Sequence, residues 1–136
     1  MAWVVDTSVV LDLVVASSPW RTASLVCLQQ HLADGLCVCP VTFVEVGPAF
    51  GGDPQAAEAF FQVIPVSTSE PWTNADTKLA HRLWNDHQVR RKAVQIPKRP
   101  VADVLIAAFA SRFQGIITRN AADFRNIAPT LTIIEP

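Results

Sequence analysis

The chain has 136 residues, half of them apolar, and a formal net charge of −1 at pH 7. That length and hydropathy predict one domain over residues 1–136 with a sizeable core, and exclude a disordered chain. No apolar stretch reaches the roughly 18–20 residues that cross a bilayer, and no basic leader or small-residue cleavage site opens the chain, so neither a membrane anchor nor a signal peptide is expected.

Trp3 to Val5 reads as a short strand ending at Asp6-Thr7-Ser8. Helices are expected over residues 9–15 and from Pro19 to Ala33, the second opened by proline and stopped by Gly35. Leu36 to Cys39 is a second strand, ended by Pro40. A helix from Val41 to Ala49 carries Glu45 and weakens at Gly47-Pro48. After the Gly51-Gly52 turn and a helix near residues 54–62, Val63 to Val66 is expected as a third strand at a sheet edge, where Pro65 is tolerated. Ser69 to Arg91 is the longest expected helix, followed by a proline-containing loop over 93–100. From Pro100 to Phe113, Val101, Val104, Leu105, Ala108 and Phe109 recur at helical spacing. Ile116 to Thr118 and Leu131 to Ile134 complete a set of five strands. Strands alternating with helices imply an α/β fold, a mainly parallel sheet covered on both faces. In such sheets function gathers at the carboxyl ends of the strands, where Asp6 and the residues after Thr118 lie.

Cys27, Cys37 and Cys39 cannot pair completely, and Cys37 and Cys39 fall on one strand face. They read as small buried hydrophobes in a reducing cytoplasm, not as a zinc site, because no second pair of thiols or suitably spaced histidines completes one. His81 and His87 are six residues apart and do not share a helical face.

Four acids fall at telling positions: Asp6 after the first strand, Glu45 among apolar neighbours, Asp103 in a first helical turn, and Asp123 after the fourth strand. Three of them have a local explanation of their own, and Glu45, between Phe43, Val44 and Val46, is harder to dismiss. Asp6 can accept bonds from the following amides as an N-cap, Asp103 complements a helix dipole, and Asp123 is an ordinary turn acid. Taken together, carboxylates converging on one cleft repel one another unless a cation neutralises them. An all-oxygen donor set favours a hard divalent ion, Mg²⁺ or Mn²⁺, which polarises phosphoryl oxygens and activates water. No glycine-rich phosphate loop and no G-x-S-x-G elbow competes with that chemistry.

Four segments, in order, then carry a resemblance. VVDTSVVLDL, VTFVEV around Glu45, VADVLIAAFA around Asp103 and TRNAADF resemble the PIN-domain ribonucleases and, within them, the VapC toxins of toxin–antitoxin pairs. The likeness spans nearly the whole chain, to the terminal IIEP. It implies a Rossmann-like α/β/α sandwich of about five parallel strands and an acidic Mg²⁺/Mn²⁺ site. Position by position, Asp6, Glu45 and Asp103 match the family's three core acids. At the fourth position TRNAADF offers Asn120 first and Asp123 three residues later; Asp123 holds charge, so it is taken as the fourth acid with Asn120 assisting. The implied metal ligands are Asp6, Asp103 and Asp123. Thr7, Ser8 and Thr118 then supply hydroxyls around the metal or the phosphate, although Ser8 serves equally well as an ordinary cap.

Charge is segregated along the chain: −7 over residues 1–76, +6 from Lys78 to Arg99, and 0 from Pro100 onward. A basic segment points to an anionic partner or to a solvated helix face. For a ribonuclease, Arg90, Arg91, Lys92, Lys98 and Arg99 would hold RNA phosphates beside Asp103. The resemblance further implies cleavage of structured RNA such as tRNA or rRNA to 3′-hydroxyl and 5′-phosphate ends, a homodimer, and a VapB-like antitoxin covering the cleft. Trp20, Trp72 and Trp84 serve such an interface or simply the core. Rival readings are a degenerate PIN module that binds RNA or a protein without cleavage, a free-standing RNA-processing nuclease, and a DNA-directed or phosphatase-like hydrolase using the same metal chemistry.

Overall fold

A computed structural model describes residues 1–93 and 101–136. The chain runs β1 (Trp3–Val5), α1 (Thr7–Val14), α2 (Arg21–His31), β2 (Leu36–Cys37), α3 (Pro40–Glu45), α4 (Pro54–Val63), α5 (Asn74–Ala93), α6 (Val101–Ala110), β3 (Gly115–Ile117), α7 (Ala121–Ile127) and β4 (Ile133–Ile134). Short 3-10 turns at Leu32–Asp34 and Gly47–Phe50 continue α2 and follow α3. No described helix is long and apolar enough to cross a membrane.

The strands form one parallel sheet in the order β2-β1-β3-β4. Period-2 alternation divides the core between its two faces. Trp3, Val5, Leu36, Val38 and Ile117 pack with Val9, Val10 and Leu13 of α1, Leu28 of α2 and Phe61 of α4. Val4, Cys37, Cys39 and Ile116 pack on the opposite face with Ile106 and Phe109 of α6 and Phe124 and Ile127 of α7. Helices therefore cover both faces, as the alternation of elements requires.

Four strands are present among the described residues, not the five expected. The segment assigned to a third strand becomes the last turn of α4 and a turn, and only Ser67 meets the sheet. Ser67 donates to the Leu36 carbonyl (2.9 Å) and accepts from the Val38 amide (3.0 Å), a single parallel bridge at Cys37. Pro65 has no N–H to give a ladder, and Ile64-Pro65 is consumed in leaving the helix. The long helix begins at Asn74, five residues later than expected, because Pro71 precedes a reciprocal cap. Thr73 N donates to Asp76 Oδ2 (2.9 Å) and Asp76 N to Thr73 Oγ1 (3.1 Å). A seventh helix, α7, occupies residues expected only to turn, placing Asp123 in its first helical turn. Apart from Ala93, the expected loop over 93–100 lies outside the described residues.

All three cysteines are buried and unpaired. Burial pushes the Cys37 thiol up to about 12 and the Cys39 thiol up to about 11, from an ordinary 9.0. Nearby Glu70 raises Cys37 further, while amides of Val41 and Thr42 oppose the rise at Cys39. Cys27 moves upward for the same reason, desolvation. These are inert, protonated core groups at neutral pH.

Two outcomes follow from the packing. The unfolded thiols ionise near 9.0 while the buried pair resist until about 11–12, so the native state holds more protons above pH 9.0 and loses stability there. Urea midpoints should fall as pH rises above 9.0, and fall less steeply in Cys37→Ala/Cys39→Ala. At Gly115 a β-carbon would stand 2.3 Å from the Thr132 carbonyl oxygen and 2.7 Å from Trp3 Cζ3. Gly115→Ala should therefore cost about 1–3 kcal/mol in urea unfolding, as overpacking does.

Candidate functional site

The site begins with register. Val5 pairs with Ile117, so the next residues of β1 and β3, Asp6 and Thr118, stand opposite each other. The ladder continues one step: the Asp6 amide donates to the Ile117 carbonyl (3.0 Å) and the Thr118 amide to the Ile134 carbonyl (3.0 Å). From β1 the chain passes first to β2 on one side and later to β3 on the other. The reversal at β1/β3 is the switch point where open α/β sheets bind ligands.

Asp6 occupies the N-cap position of α1, but its side chain makes no capping bond. Its backbone carbonyl instead accepts from the amides of Val9 (3.1 Å) and Val10 (3.2 Å). The carboxylate is turned to other partners: Oδ2 accepts from Thr118 Oγ1 (2.8 Å) and from Ser8 Oγ (2.8 Å). The capping explanation of Asp6 is thereby removed, since a cap would spend the side chain on N–H groups of the first turn.

Burial makes this carboxylate unusual. Asp6, Asp12 and Asp76 are 2%, 2% and 3% exposed. Asp12 and Asp76 each have an arginine, Arg119 Nε at 2.5 Å and Arg112 Nε at 3.1 Å. Asp6 has hydroxyl partners alone among the described residues. A buried carboxylate without a compensating cation is costly, and two neutral hydroxyls offset only part of that cost.

Glu45 ends α3 and is exposed, joined to the same neighbourhood through Thr7. Thr7 Oγ1 lies 2.6 Å from Glu45 Oε1 and 3.0 Å from Thr42 Oγ1. With one proton, the Thr7 hydroxyl donates to the carboxylate and accepts from Thr42, which is buried. Thr7 and Ser8, consecutive in the first turn of α1, thus hold Glu45 and Asp6 respectively.

The remaining predicted residues, where described, lie on α5, on α6 and on α7 with its cap. Asp103 is half-buried in the first turn of α6, a helix that packs against α3 and α7. Asn120 is the exposed N-cap of α7, its amide donating to Thr118 Oγ1 (2.9 Å), and Asp123 is exposed one turn on. Among the described residues no three His, Cys, Asp or Glu side chains come close enough to share one metal ion. Arg90 is exposed and donates through Nη2 to the Asn126 carbonyl of α7 (2.6 Å). The side chains of Arg91 and Lys92, and all of Lys98 and Arg99, lie outside the described residues.

Sequence reasoning missed the pair beside the site. Asp12 lies one helical turn after Ser8 and accepts from Ser18 Oγ (3.1 Å), Ser24 Oγ (2.8 Å) and Arg119 Nε (2.5 Å). The guanidinium also lies over the Trp20 ring, 5.3 Å from its centroid. The available signal was an acid between two leucines, Leu11-Asp12-Leu13, a setting in which a buried acid needs a partner.

An apolar groove of about 750 Å³ between α3, α5 and α6 flanks this region. Val44, next to Glu45, and Val101 and Val104, which bracket Asp103, line it together with Trp72 and Trp84. No protein-family model matches the chain, and no curated protein matches it.

The contrast among the three buried aspartates has a measurable consequence. In metal-free buffer, Asp6→Asn should raise the thermal midpoint by removing a buried charge that has no arginine partner among the described residues. Asp12→Asn should lower it, at a cost of about 1–3 kcal/mol for the broken charged hydrogen bonds. An equal fall in both would contradict the assignment.

Proposed function

We propose that the chain is a Mg²⁺- or Mn²⁺-dependent endoribonuclease of the PIN-domain type, acting as the toxin of a VapBC-like pair. The observation that carries this reading is Asp6: a carboxylate 2% exposed, at the sheet's switch point, with hydroxyl partners alone among the described residues. The donor set around it is oxygen throughout, which suits a hard divalent cation and not zinc. Asp6, Asp103 and Asp123 would hold such an ion, with Thr7, Ser8, Thr118 and Asn120 around it. When bound, it supplies Lewis-acid polarisation of a phosphoryl oxygen and activation of water.

The chain's own residues account for the rest of the chemistry. Thr118 and Ser8 both bond Oδ2 of Asp6, which orients the carboxylate for the ligand. Thr7 holds Oε1 of Glu45, leaving Oε2 to take the proton of the attacking water. Arg90, Arg91, Lys92, Lys98 and Arg99 neutralise RNA phosphates and set the strand's register, so binding weakens as salt rises. Hydrolysis would leave 3′-hydroxyl and 5′-phosphate ends on a structured RNA such as tRNA or rRNA. The groove beside Glu45 and Asp103 supports docking of an apolar, VapB-like antitoxin segment, and a homodimer belongs to the same reading.

One observation favours a second reading. Asn120, a neutral amide where the resemblance expects the fourth acid, suits a module that binds RNA or a protein without cleaving it. Incubating the purified chain with total RNA and Mn²⁺ separates the two. The nuclease reading predicts cleavage that is lost by at least about 100-fold in Asp6→Asn and Asp103→Asn. Equal cleavage by wild type and both variants would assign the activity to a contaminant.

A further inference from the structure

We propose that Arg119 is a positioning residue of the Asp6 site, clamped by Asp12 so that the turn after β3 holds Thr118 on Asp6 and presents Asn120 and Asp123 at the cleft. The catalytic part of this proposal rests on the nuclease reading above.

The clamp is built from one face of α1. Ser8 and Asp12 are four residues apart, so their side chains emerge on the same side of the helix. Ser8 Oγ donates to Asp6 Oδ2 (2.8 Å) and accepts from the Arg119 amide (3.3 Å). Asp12 Oδ2 accepts from the same residue's Nε (2.5 Å). Arg119 is therefore gripped through both backbone and side chain, and one serine hydroxyl lies between its amide and the Asp6 carboxylate. Its neighbours are the residues the cleft needs. Thr118 Oγ1 donates to Asp6, and the Asn120 amide donates back to Thr118 Oγ1 (2.9 Å). The Asn120 carbonyl then accepts from the amides of Asp123 (3.1 Å) and Phe124 (3.3 Å), starting α7.

The alternative role for an arginine here, a contact to RNA phosphate, fits the geometry poorly. The guanidinium is committed to a carboxylate that is 3% exposed at its side chain, and it lies over Trp20. Asp12 is in turn tied by Ser18 and by the buried Ser24 of α2. The pair thus anchors the turn after β3 to α1 and α2. A shift of about 1 Å in that turn would misplace Thr118 and Asn120 enough to slow a reaction that depends on alignment.

The test uses Arg119→Gln, Arg119→Lys and the double variant Asp12→Asn/Arg119→Gln, which removes both charges and strands no buried carboxylate. Amide hydrogen exchange at positions 119 and 120 should quicken by about tenfold or more in Arg119→Gln and in the double variant, against unchanged Val4 and Val5. In Arg119→Lys, whose ammonium can still pair with Asp12, exchange should stay near wild type. For Mn²⁺-dependent RNA cleavage, kcat should fall about 10- to 100-fold with KM within about twofold, and Arg119→Lys should recover most of it. Unchanged exchange in the double variant overturns the clamp, whatever the activity. A raised KM with wild-type kcat overturns the positioning role and makes Arg119 an RNA contact. If the wild type cleaves no RNA, the nuclease reading fails with the catalytic half of this proposal, and exchange alone decides the clamp.

Discussion

A carboxylate held out of water at the end of β1 is the constraint on which the rest of the site depends. The parallel register of β1 and β3 puts Asp6 and Thr118 side by side, so a residue on the first strand and one more than a hundred positions later share a hydrogen bond. The first turn of α1 supplies two more hydroxyls, Ser8 to Asp6 and Thr7 to Glu45. Short polar side chains at the strand-to-helix junction thus orient two acids at once. The sheet core, with Val4 and Ile116 on one face and Val5 and Ile117 on the other, is packed on both sides up to that junction.

The molecule treats its buried acids in two ways. Asp76 closes the capping box of α5 and receives Arg112, which lies over the rings of Phe109 and Phe113 and ties the end of α6 to the start of α5. Asp12 receives Arg119 and ties α1 to the turn after β3. In both cases burial, ion pair and extra hydrogen bonds go together, as a structural buried charge requires. Asp6 shares their burial and, among the described residues, has neutral donors in place of the arginine. The same physical accounting that makes Asp12 and Asp76 structural is what our proposal for Asp6 rests on: a partner that arrives from solution.

Much of this was legible in the sequence because it rests on local pattern. The apolar run before Asp6, the alternation that sends Cys37 and Cys39 to one face, and the helical recurrence from Val101 onward each follow from a single period. What stayed hidden depends on partners distant in sequence or on backbone chemistry at an edge. The expected third strand failed at Pro65, where leaving α4 and lacking an N–H left only Ser67 to bridge β2. Helix α7 was hidden in TRNAADF because seven residues give too little periodicity, yet Asn120 and the burial of Ala121, Phe124 and Ile127 define it. The Asp12–Arg119 pair joins positions 107 apart in the chain, which spacing alone does not reveal. Asp6, Glu45 and Asp103 stand out in the sequence by their places relative to strands and helices. Their connections through Thr7, Ser8 and Thr118 required the fold.

The charge distribution and the groove extend the same picture. An acidic first half contributes Asp6 and Glu45, while the basic segment from Lys78 to Arg99 leads directly into the helix that carries Asp103. An apolar groove opens beside Glu45 and Asp103. The central claim, that Asp6 is built to meet a divalent cation, is tested most directly by thermal unfolding of wild type and Asp6→Asn across a Mn²⁺ titration. Binding to the native state alone predicts a rising wild-type midpoint, equivalent to about 2.7 kcal/mol at a hundredfold excess over Kd, and a flat response in Asp6→Asn. The same rise in both proteins, or none in wild type, would contradict it.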